Sequence, residues 1–263
     1  EVKASWFDEN LKTWKITTNT GEEINAQYFI MATGCISTTQ IPNIKGLSDY
    51  VGNTFHTGNW PHEEVDFSGQ SIAVIGTGSS GIQSIPVLAK QAKKLTVFQR
   101  TPNYSIPSQN EPMTKKYERS WKDVYSERRK EMRYSAHGSL KDLNDVPALS
   151  VDEDQRQKLY TKRWAIGGTG FLSSFNDLLT NADANYTAAE YVRQQIKRVV
   201  KDKETAEILC PRSYPIGTKR ICIDTGYFET YNRENVKLVD ISKKPIQRLV
   251  TDGIIVDDQL YPF

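Results

Sequence analysis

The sequence predicts an α/β fold in which helices pack on a parallel sheet, and three observations support this. The apolar run Ser71–Ile75 has the length and composition of a buried strand. A glycine-rich turn follows it, and apolar residues then recur at helical spacing between Ile82 and Ala89. A second apolar run, Leu95–Phe98, comes directly after this helix. The order strand, helix, strand is typical of two parallel neighbours in one sheet.

The turn between the first strand and the helix has the form G-x-G-x-x-G, in the context where this motif binds a dinucleotide. The first glycine makes the tight turn, the second lets the backbone reach the pyrophosphate, and the third lets helix and strand pack closely. The helix N-terminus then faces the phosphates. Glycine turns also occur without a ligand, but strand, helix and spacing agree here. The predicted dinucleotide contacts are Gly76, Thr77, Gly78, Ser79, Ser80, Gly81 and Gln83.

The end of the second strand indicates which dinucleotide is bound. It is expected to lie near the adenine ribose, roughly 20 residues past the glycines, where NAD sites place Asp or Glu. This chain has Gln99-Arg100-Thr101 at that point. A cation and a hydroxyl suit a 2′-phosphate, so the sequence predicts NADP(H), with Arg100 and Thr101 among its contacts.

The composition is that of an ordinary globular protein, with 38% hydrophobic and 25% charged residues, and 263 residues suit one large or two modest domains. A formal net charge of +2 argues against nucleic acid or an anionic membrane as partner. The three cysteines have no C-x-x-C spacing, which is typical of free thiols in a reducing compartment. We therefore expect a cytoplasmic protein that binds no metal, and the oligomeric state stays open.

The two ends of the chain predict sheet structure and an incomplete protein. Trp14–Thr18 and Ile24–Met31 flank a turn and read as a hairpin whose second strand runs into Ala32-Thr33-Gly34. Near the other end, Ile246–Val250 and Ile254–Phe263 flank a turn at Thr251-Asp-Gly253. The chain opens on Glu1 rather than on Met, so we expect the middle part of a longer protein.

The region between Ser105 and Arg212 predicts inserted helices. Met113–Tyr134 is rich in charge, with apolar residues at mostly helical spacing. Capping patterns at Ser150 and Thr187 predict the starts of two further helices. The stretch Gly167–Phe171 contains too many glycines for a helix interior and predicts a turn.

A longer motif precedes the glycine turn. Tyr50, Gly52, His56, Trp60 and Pro61 stand at the spacing aromatic-x-G-x-x-x-H-x-x-x-W-P. This closely resembles the fingerprint of the flavin-dependent Baeyer–Villiger monooxygenases, in which Phe usually occupies the place of Tyr50. The other four positions match at fixed spacing, which is much more specific than a glycine motif alone. The segments around Phe98–Pro102 and Gly217–Arg220 also resemble this family, in particular its cyclohexanone and phenylacetone monooxygenases.

The resemblance covers essentially the whole chain and implies a two-dinucleotide-binding flavoprotein. Residues 1–43 would be part of an FAD-binding domain, with Ala32, Thr33 and Gly34 at its exit. Residues 44–104 and 219–263 would form a Rossmann-like NADP domain, and residues 105–218 a helical insertion. The FAD glycine motif that the family carries upstream is absent, so the resemblance implies a central fragment that is inactive alone.

The resemblance also implies roles for individual residues. Adjacent cations such as Lys219 and Arg220 are usually plain surface charge, but in extended chain they point to opposite sides and can serve two anions. By resemblance, Lys219 reaches the 2′-phosphate and Arg220 faces flavin and substrate as the catalytic residue. His56 and Trp60 would position the interdomain linker. The stretch Gly167–Phe171 alone predicts only a connecting turn, but in the family a loop here lies near the substrate, so Phe171 and Phe175 become substrate-pocket candidates.

The implied activity is the oxygenation of a ketone to an ester or lactone with FAD, NADPH and O2. The reaction would pass through a flavin peroxide, and the Arg220 guanidinium, which keeps its proton, would stabilise the anions. One alternative is an N- or S-oxidising flavin monooxygenase, disfavoured by Trp60-Pro61 and Arg220. The other is a non-oxygenating NADPH-binding module or reductase, disfavoured by the glycine turn and Lys219-Arg220. An FAD glycine motif in the complete reading frame would separate these classes.

Overall fold

A computed structural model describes residues 1–135, 138–140 and 143–263. The chain forms two compact units. The small unit comprises residues 1–42 and 58–60, and the large unit comprises residues 43–57 and 61–263. The predicted assignment of these regions to FAD and NADP domains stays a prediction.

The small unit contains an antiparallel sheet of β1 (Val2–Asp8), β2 (Thr13–Thr18) and β3 (Glu23–Ala26) in that order. The predicted hairpin is confirmed, with Ile16 opposite Ile24. The prediction that its second strand reaches Met31 is wrong, because β3 ends at Ala26 and Ile30 and Met31 are exposed. A strand must pair its backbone groups with neighbours, and the described residues provide none beyond Ala26.

The strands and helices of the large unit follow in chain order. The strands are β4 (Ser71–Ile75), β5 (Lys94–Gln99), β6 (Ser105–Pro107), β7 (Cys222–Asp224), β8 (Val236–Asp240), β9 (Ile246–Val250), β10 (Gly253–Val256) and β11 (Gln259–Pro262). The helices are α1 (Ser79–Gln91), α2 (Lys115–Lys122), α3 (Tyr125–Tyr134), α4 (Glu153–Ile166), α5 (Ala182–Val199), α6 (Lys203–Leu209) and α7 (Tyr227–Thr230).

The predicted parallel sheet is confirmed and has the order β4-β5-β8. Successive residues of a strand point to opposite faces, and each face of this sheet meets its own core. Leu95 and Val97 belong to the core that includes α1, α4 and α5, whereas Phe98 packs with residues of β9 and β10 on the other side. Helices thus cover one face and an antiparallel sheet, β9-β10-β11, covers the other.

The C-terminal strands differ in one respect from the sequence prediction. The predicted run from Ile254 to Phe263 is two strands, because Asp257 and Asp258 both have positive φ, at 51° and 58°. Two successive left-handed residues make the turn of a tight hairpin, and Asp tolerates this conformation better than most residues.

The inserted helices form, but their boundaries shift. The predicted helix from Met113 to Tyr134 is divided into α2 and α3. The capping box predicted at Ser150 lies two residues later: the Asp152 side chain accepts from the Gln155 backbone N–H, and Gln155 returns the bond. The start predicted at Thr187 is wrong. Asn181 caps α5 by accepting from two backbone N–H groups, and Thr187 lies inside the helix.

The glycine-rich stretch after α4 ends that helix as predicted, but the predicted turn over Gly167–Phe171 is wrong beyond Gly167, because Gly168–Ser174 form a short 3-10 helix. The helix ends at Ile166, and Gly167 has φ of 75°, a left-handed conformation that favours glycine. A Cβ at Gly167 would stand 2.5 Å from the backbone oxygen of Pro107, so the close approach of two chain segments also requires glycine here. In the described part of the chain, none of the helices has both the length and the apolar character needed to span a bilayer.

Candidate functional site

The three glycines of the turn after β4 differ in what they permit. Gly76 has φ of 100°, a conformation that side chains disfavour. A Cβ at Gly81 would stand 2.5 Å from the Gly76 carbonyl oxygen, so this glycine lets α1 approach the strand end. Gly78 has φ of −78°, and a Cβ there would meet nothing within 4 Å. The backbone at Gly76 and Gly81 needs glycine for folding, whereas Gly78 leaves open space at the surface.

The N-terminus of α1 faces this open space. Gly78 is the N-cap residue and has no side chain to occupy the backbone N–H groups of the first turn, which are the donors that a phosphate accepts from. The Gln83 amide donates to the backbone and hydroxyl oxygens of Ser79, both at 3.1 Å, and fixes this turn from the side. Ser79 and Ser80 are exposed.

The side chain of Thr77 lies inside the protein. It is 4% exposed, and its hydroxyl lies 3.3 Å from both the Gln99 amide oxygen and the Thr101 carbonyl oxygen. Gln99 is buried and donates to the Ile208 carbonyl. The predicted contact residue Thr77 therefore connects the glycine turn to the end of β5 through its buried side chain.

The cation predicted to distinguish NADP from NAD lies at the end of β5. Arg100 is exposed and Thr101 is half-buried. Asn103, two residues on, donates from its side-chain amide to the Thr77 carbonyl at 2.6 Å. Two hydrogen bonds thus connect the strand end with the glycine turn: the Thr77 hydroxyl donates to the Thr101 carbonyl, and the Asn103 amide donates to the Thr77 carbonyl.

Lys219 is brought to this same region by an aromatic residue. Its ammonium group lies 4.3 Å from the centroid of the Tyr214 ring. The Tyr214 hydroxyl lies 2.9 Å from the Pro102 carbonyl and 2.9 Å from the Asn103 side-chain oxygen. Burial raises the pKa of Tyr214 to about 12, so this hydroxyl keeps its proton and donates at neutral pH. Tyr214 and Asn103 belong to no predicted motif, and their only signal in the sequence is that they flank the predicted cations.

A buried amide fixes the loop that carries Lys219 and Arg220. Asn185 on α5 donates to the Leu178 and Ile216 carbonyls and accepts from the Ile216 backbone N–H. Gly217 follows with φ of 91°, and a Cβ there would press on the Leu179 side chain at 2.5 Å. The loop direction is therefore set by the helical region.

A cavity of about 420 Å³ lies beside this loop. Lys219 and Arg220 both line it, together with Phe175 and the apolar side chains of Leu172 and Ile221. Among the predicted pocket residues, Phe175 lines the cavity, whereas Phe171 is fully buried and its ring packs on those of Tyr160, Trp164 and Tyr191.

The fingerprint residues belong to both units. In the large unit the Tyr50 ring lies over Gly52, where a Cβ would overlap the ring, so the aromatic and the glycine of the motif pack as one piece. The Val51 backbone N–H donates to the Thr251 carbonyl at 3.2 Å and fixes this segment on the turn after β9. His56 and Pro61 are half-buried.

The remaining predicted residues lie in the small unit. Trp60 is 42% exposed. Ala32, Thr33 and Gly34 are exposed; Gly34 has φ of 71°, and the Ser37 hydroxyl donates to the Thr33 carbonyl. Residues 32–34 lie outside the strands of the small unit and are accessible.

Comparison with known proteins places the chain among pyridine-nucleotide enzymes. The family model for pyridine nucleotide-disulphide oxidoreductases matches residues 7–217. Cyclohexanone 1,2-monooxygenase from an Acinetobacter species is 36% identical over 98% of this chain and 47% of its own length. Phenazine N-monooxygenase from Lysobacter antibioticus is also 36% identical, again over 98% of this chain and 47% of its own length.

The fold has close relatives among solved structures. The crystal structure of OTEMO in complex with FAD and NADP superposes with a TM-score of 0.96 at 36% identity, covering 100% of this chain and 50% of that one. This chain thus spans about half the length of the curated relatives it matches.

Proposed function

This chain belongs to the pyridine nucleotide-disulphide oxidoreductase family, and we propose that the protein containing it uses NADPH and FAD to insert one oxygen atom of O2 beside a ketone carbonyl. The similarity to cyclohexanone 1,2-monooxygenase agrees with the Baeyer–Villiger fingerprint in the sequence. The product class is an ester or lactone. The single observation that carries the proposal is the glycine turn, where two glycines are required by the fold and the third leaves open space in front of a helix N-terminus.

The residues of the large unit fit NADPH. Backbone N–H groups in the first turn of α1 would bind the pyrophosphate, because they are donors at the positive end of a helix dipole. Arg100 and Lys219 would bind the 2′-phosphate, each through a charge-assisted hydrogen bond. The Thr77 hydroxyl would keep the glycine turn and the strand end in register, since it contacts both.

Fewer residues of this chain are available to bind FAD than to bind NADPH. A second G-x-G-x-x-G does not occur in the 263 residues, and the chain offers the accessible residues 32–34 of the small unit instead. When bound, FAD supplies hydride acceptance and O2 activation. The relative OTEMO has been solved with both FAD and NADP, which supports the same cofactor pair here.

Arg220 is the proposed catalytic residue. It lines the cavity of about 420 Å³ together with apolar side chains and with polar ones that include Asp145, and in the described part of the chain it makes no ion pair. A guanidinium with no carboxylate partner keeps its charge available for a substrate oxygen that becomes negative during the reaction. Phe175 and Leu172 would contact the hydrocarbon part of the ketone.

Two glycine substitutions test the dinucleotide site. In the protein that contains this chain, Gly78→Ala should leave the unfolding temperature unchanged, because its φ suits alanine and its Cβ has room. It should nevertheless weaken NADP⁺ binding at least about tenfold, because the methyl group enters the space that the pyrophosphate needs. Gly81→Ala should lower both binding and the unfolding temperature, because its Cβ overlaps the Gly76 carbonyl.

Calorimetric titration with NADP⁺ and thermal unfolding measure these effects. Gly170→Ala is the matched control, since a Cβ at Gly170 also meets open space and this residue lies outside the dinucleotide-binding turn Gly76–Gly81. Normal NADP⁺ affinity in Gly78→Ala would place the dinucleotide elsewhere and overturn the proposal.

A second candidate function is the oxidation of nitrogen. One relative, of the same identity as the ketone enzyme, is a phenazine N-monooxygenase. Incubation with NADPH, O2 and either cyclohexanone or phenazine, followed by mass spectrometry, separates the two: a lactone supports ketone oxidation and an N-oxide supports the alternative. We also propose a cytoplasmic location, which the free thiols Cys35, Cys210 and Cys222 support.

A further inference from the structure

We propose that Tyr214 is a positioning residue, which holds the Lys219 ammonium group at the strand end that carries Arg100 and thereby strengthens selection of a 2′-phosphate. The inference rests on the proposed NADPH function and adds the residue that places Lys219 for contact with the 2′-phosphate. The observation behind it is the stacking of Lys219 on the Tyr214 ring at 4.3 Å.

Lys219 has a long and flexible side chain. Its side chain is exposed and has four rotatable methylene groups. Fixing such a side chain when a ligand binds costs conformational entropy. A ring face that attracts the cation before the ligand arrives reduces this cost, because the ammonium group already occupies a restricted position.

Tyr214 is itself fixed by ring packing and by its hydroxyl group. Its ring packs edge-on against Tyr104 at 5.5 Å. Its hydroxyl lies 2.9 Å from both the Pro102 carbonyl and the Asn103 side-chain oxygen, and the Asn103 amide donates to Thr77 of the glycine turn. Tyr214 is therefore attached to the segment that directly follows Arg100, so the cation on its ring is held beside this segment.

Lys219 keeps its charge available for a ligand. In the part of the chain that the structure describes, Lys219 makes no ion pair, whereas Lys197 and Lys122 are paired with glutamates. A neutral ring holds a cation without neutralising it. The ammonium group keeps its full charge and its remaining N–H donors for an incoming phosphate.

The test measures affinity for two probes that differ only in the 2′-phosphate, adenosine 2′,5′-bisphosphate and AMP, by calorimetry on the protein that contains this chain. Lys219→Ala should reduce the preference for the bisphosphate about tenfold or more. Tyr214→Leu should reduce it about two- to fivefold, and Tyr214→Phe, which keeps the ring face, should restore most of it. Lys237→Ala is the matched control, because Lys237 also stacks on a tyrosine ring, that of Tyr261, at 5.2 Å; it should leave the preference unchanged.

A shape-conserving series decides the matter if Tyr214→Leu does not fold. Trifluorinated phenylalanine at position 214 keeps the size of phenylalanine but loses the negative ring face, so it should lose the preference that Tyr214→Phe retains. Unchanged preference in that series, or an equal loss of affinity for both probes, would overturn the role of Tyr214. If Lys219→Ala itself leaves the preference unchanged, the proposed assignment of the 2′-phosphate fails as well.

Discussion

At the residue scale, the candidate site depends on a few side chains whose surroundings differ sharply. Arg220 and Lys219 are neighbours in sequence and line one cavity, yet only Lys219 stacks on an aromatic ring. We propose that the ammonium group on the ring is held for a nucleotide, whereas the exposed guanidinium of Arg220 serves the cavity. This difference supports separate roles for the two cations.

The role of Arg220 leads to a prediction about two separable reactions. Arg220→Ala should lower ester formation from cyclohexanone about a hundredfold or more, because the charge that stabilises a developing oxyanion is lost. Flavin reduction by NADPH should continue, since the glycine turn, Arg100 and Lys219 are intact. Stopped-flow absorbance of the flavin and chromatography of the product measure the two steps.

The control for this variant is Arg212→Ala, because Arg212 is an exposed arginine paired with Glu207 outside the cavity. It should form ester at the normal rate. Normal ester yield in Arg220→Ala would remove Arg220 from catalysis.

The individual residues of the site were not equally predictable from the sequence. The glycines were predictable, because the positive φ at Gly76 and the close approach of the backbone at Gly81 both require glycine, which the sequence shows directly. Tyr214 and Asn103 were not, because each acts through a partner more than 25 residues away in sequence: Asn103 through Thr77, and Tyr214 through Pro102. Such pairs follow from the packing of the helical region on the sheet, which periodicity does not specify.

At the scale of elements, local chemistry determines where the inserted helices begin. Two patterns compete at the start of α4, because Ser150-Val-Asp-Glu153 and Asp152-Glu-Asp-Gln155 both have the spacing of a capping box. The structure uses the second, and the Ser150 hydroxyl instead donates to the Pro147 carbonyl at 2.8 Å. The existence of the helix was therefore predictable, and its first residue was decided by the turn at Pro147.

This competition gives a prediction for stability. Asp152→Ala should lower the free energy of unfolding by about 1 kcal/mol, because the backbone N–H of Gln155 loses its acceptor. Ser150→Ala should change it by less than about 0.5 kcal/mol, since that hydroxyl lies at an exposed turn. Urea denaturation followed by circular dichroism measures both variants. Equal losses in the two would show that Ser150 contributes to the cap.

At the scale of the whole molecule, the two units differ in how much core they bury. The large unit has two hydrophobic cores on opposite faces of its parallel sheet, as the alternation of apolar residues in β5 indicates. In the small unit, Ile16 is the buried apolar side chain among the described residues, while Tyr28, Ile30 and Met31 are 70% or more exposed. The sequence predicted the strand through Met31 from apolar character alone, and this failed because a strand also needs neighbours to pair with.

The contrast between the units gives a prediction for residues 1–263 produced alone. The large unit contains the complete glycine turn, Arg100 and Lys219, so the isolated chain should show measurable but weak NADP⁺ binding. It should retain no flavin and oxidise no ketone, because it has one G-x-G-x-x-G motif and a small unit with little core of its own. Absorbance spectroscopy and calorimetry measure flavin content and NADP⁺ affinity, with the full-length protein as control. Since each dinucleotide needs its own pyrophosphate-binding turn, recovery of a yellow protein with stoichiometric FAD would show that the small unit provides a flavin site by other means and that this assignment is wrong.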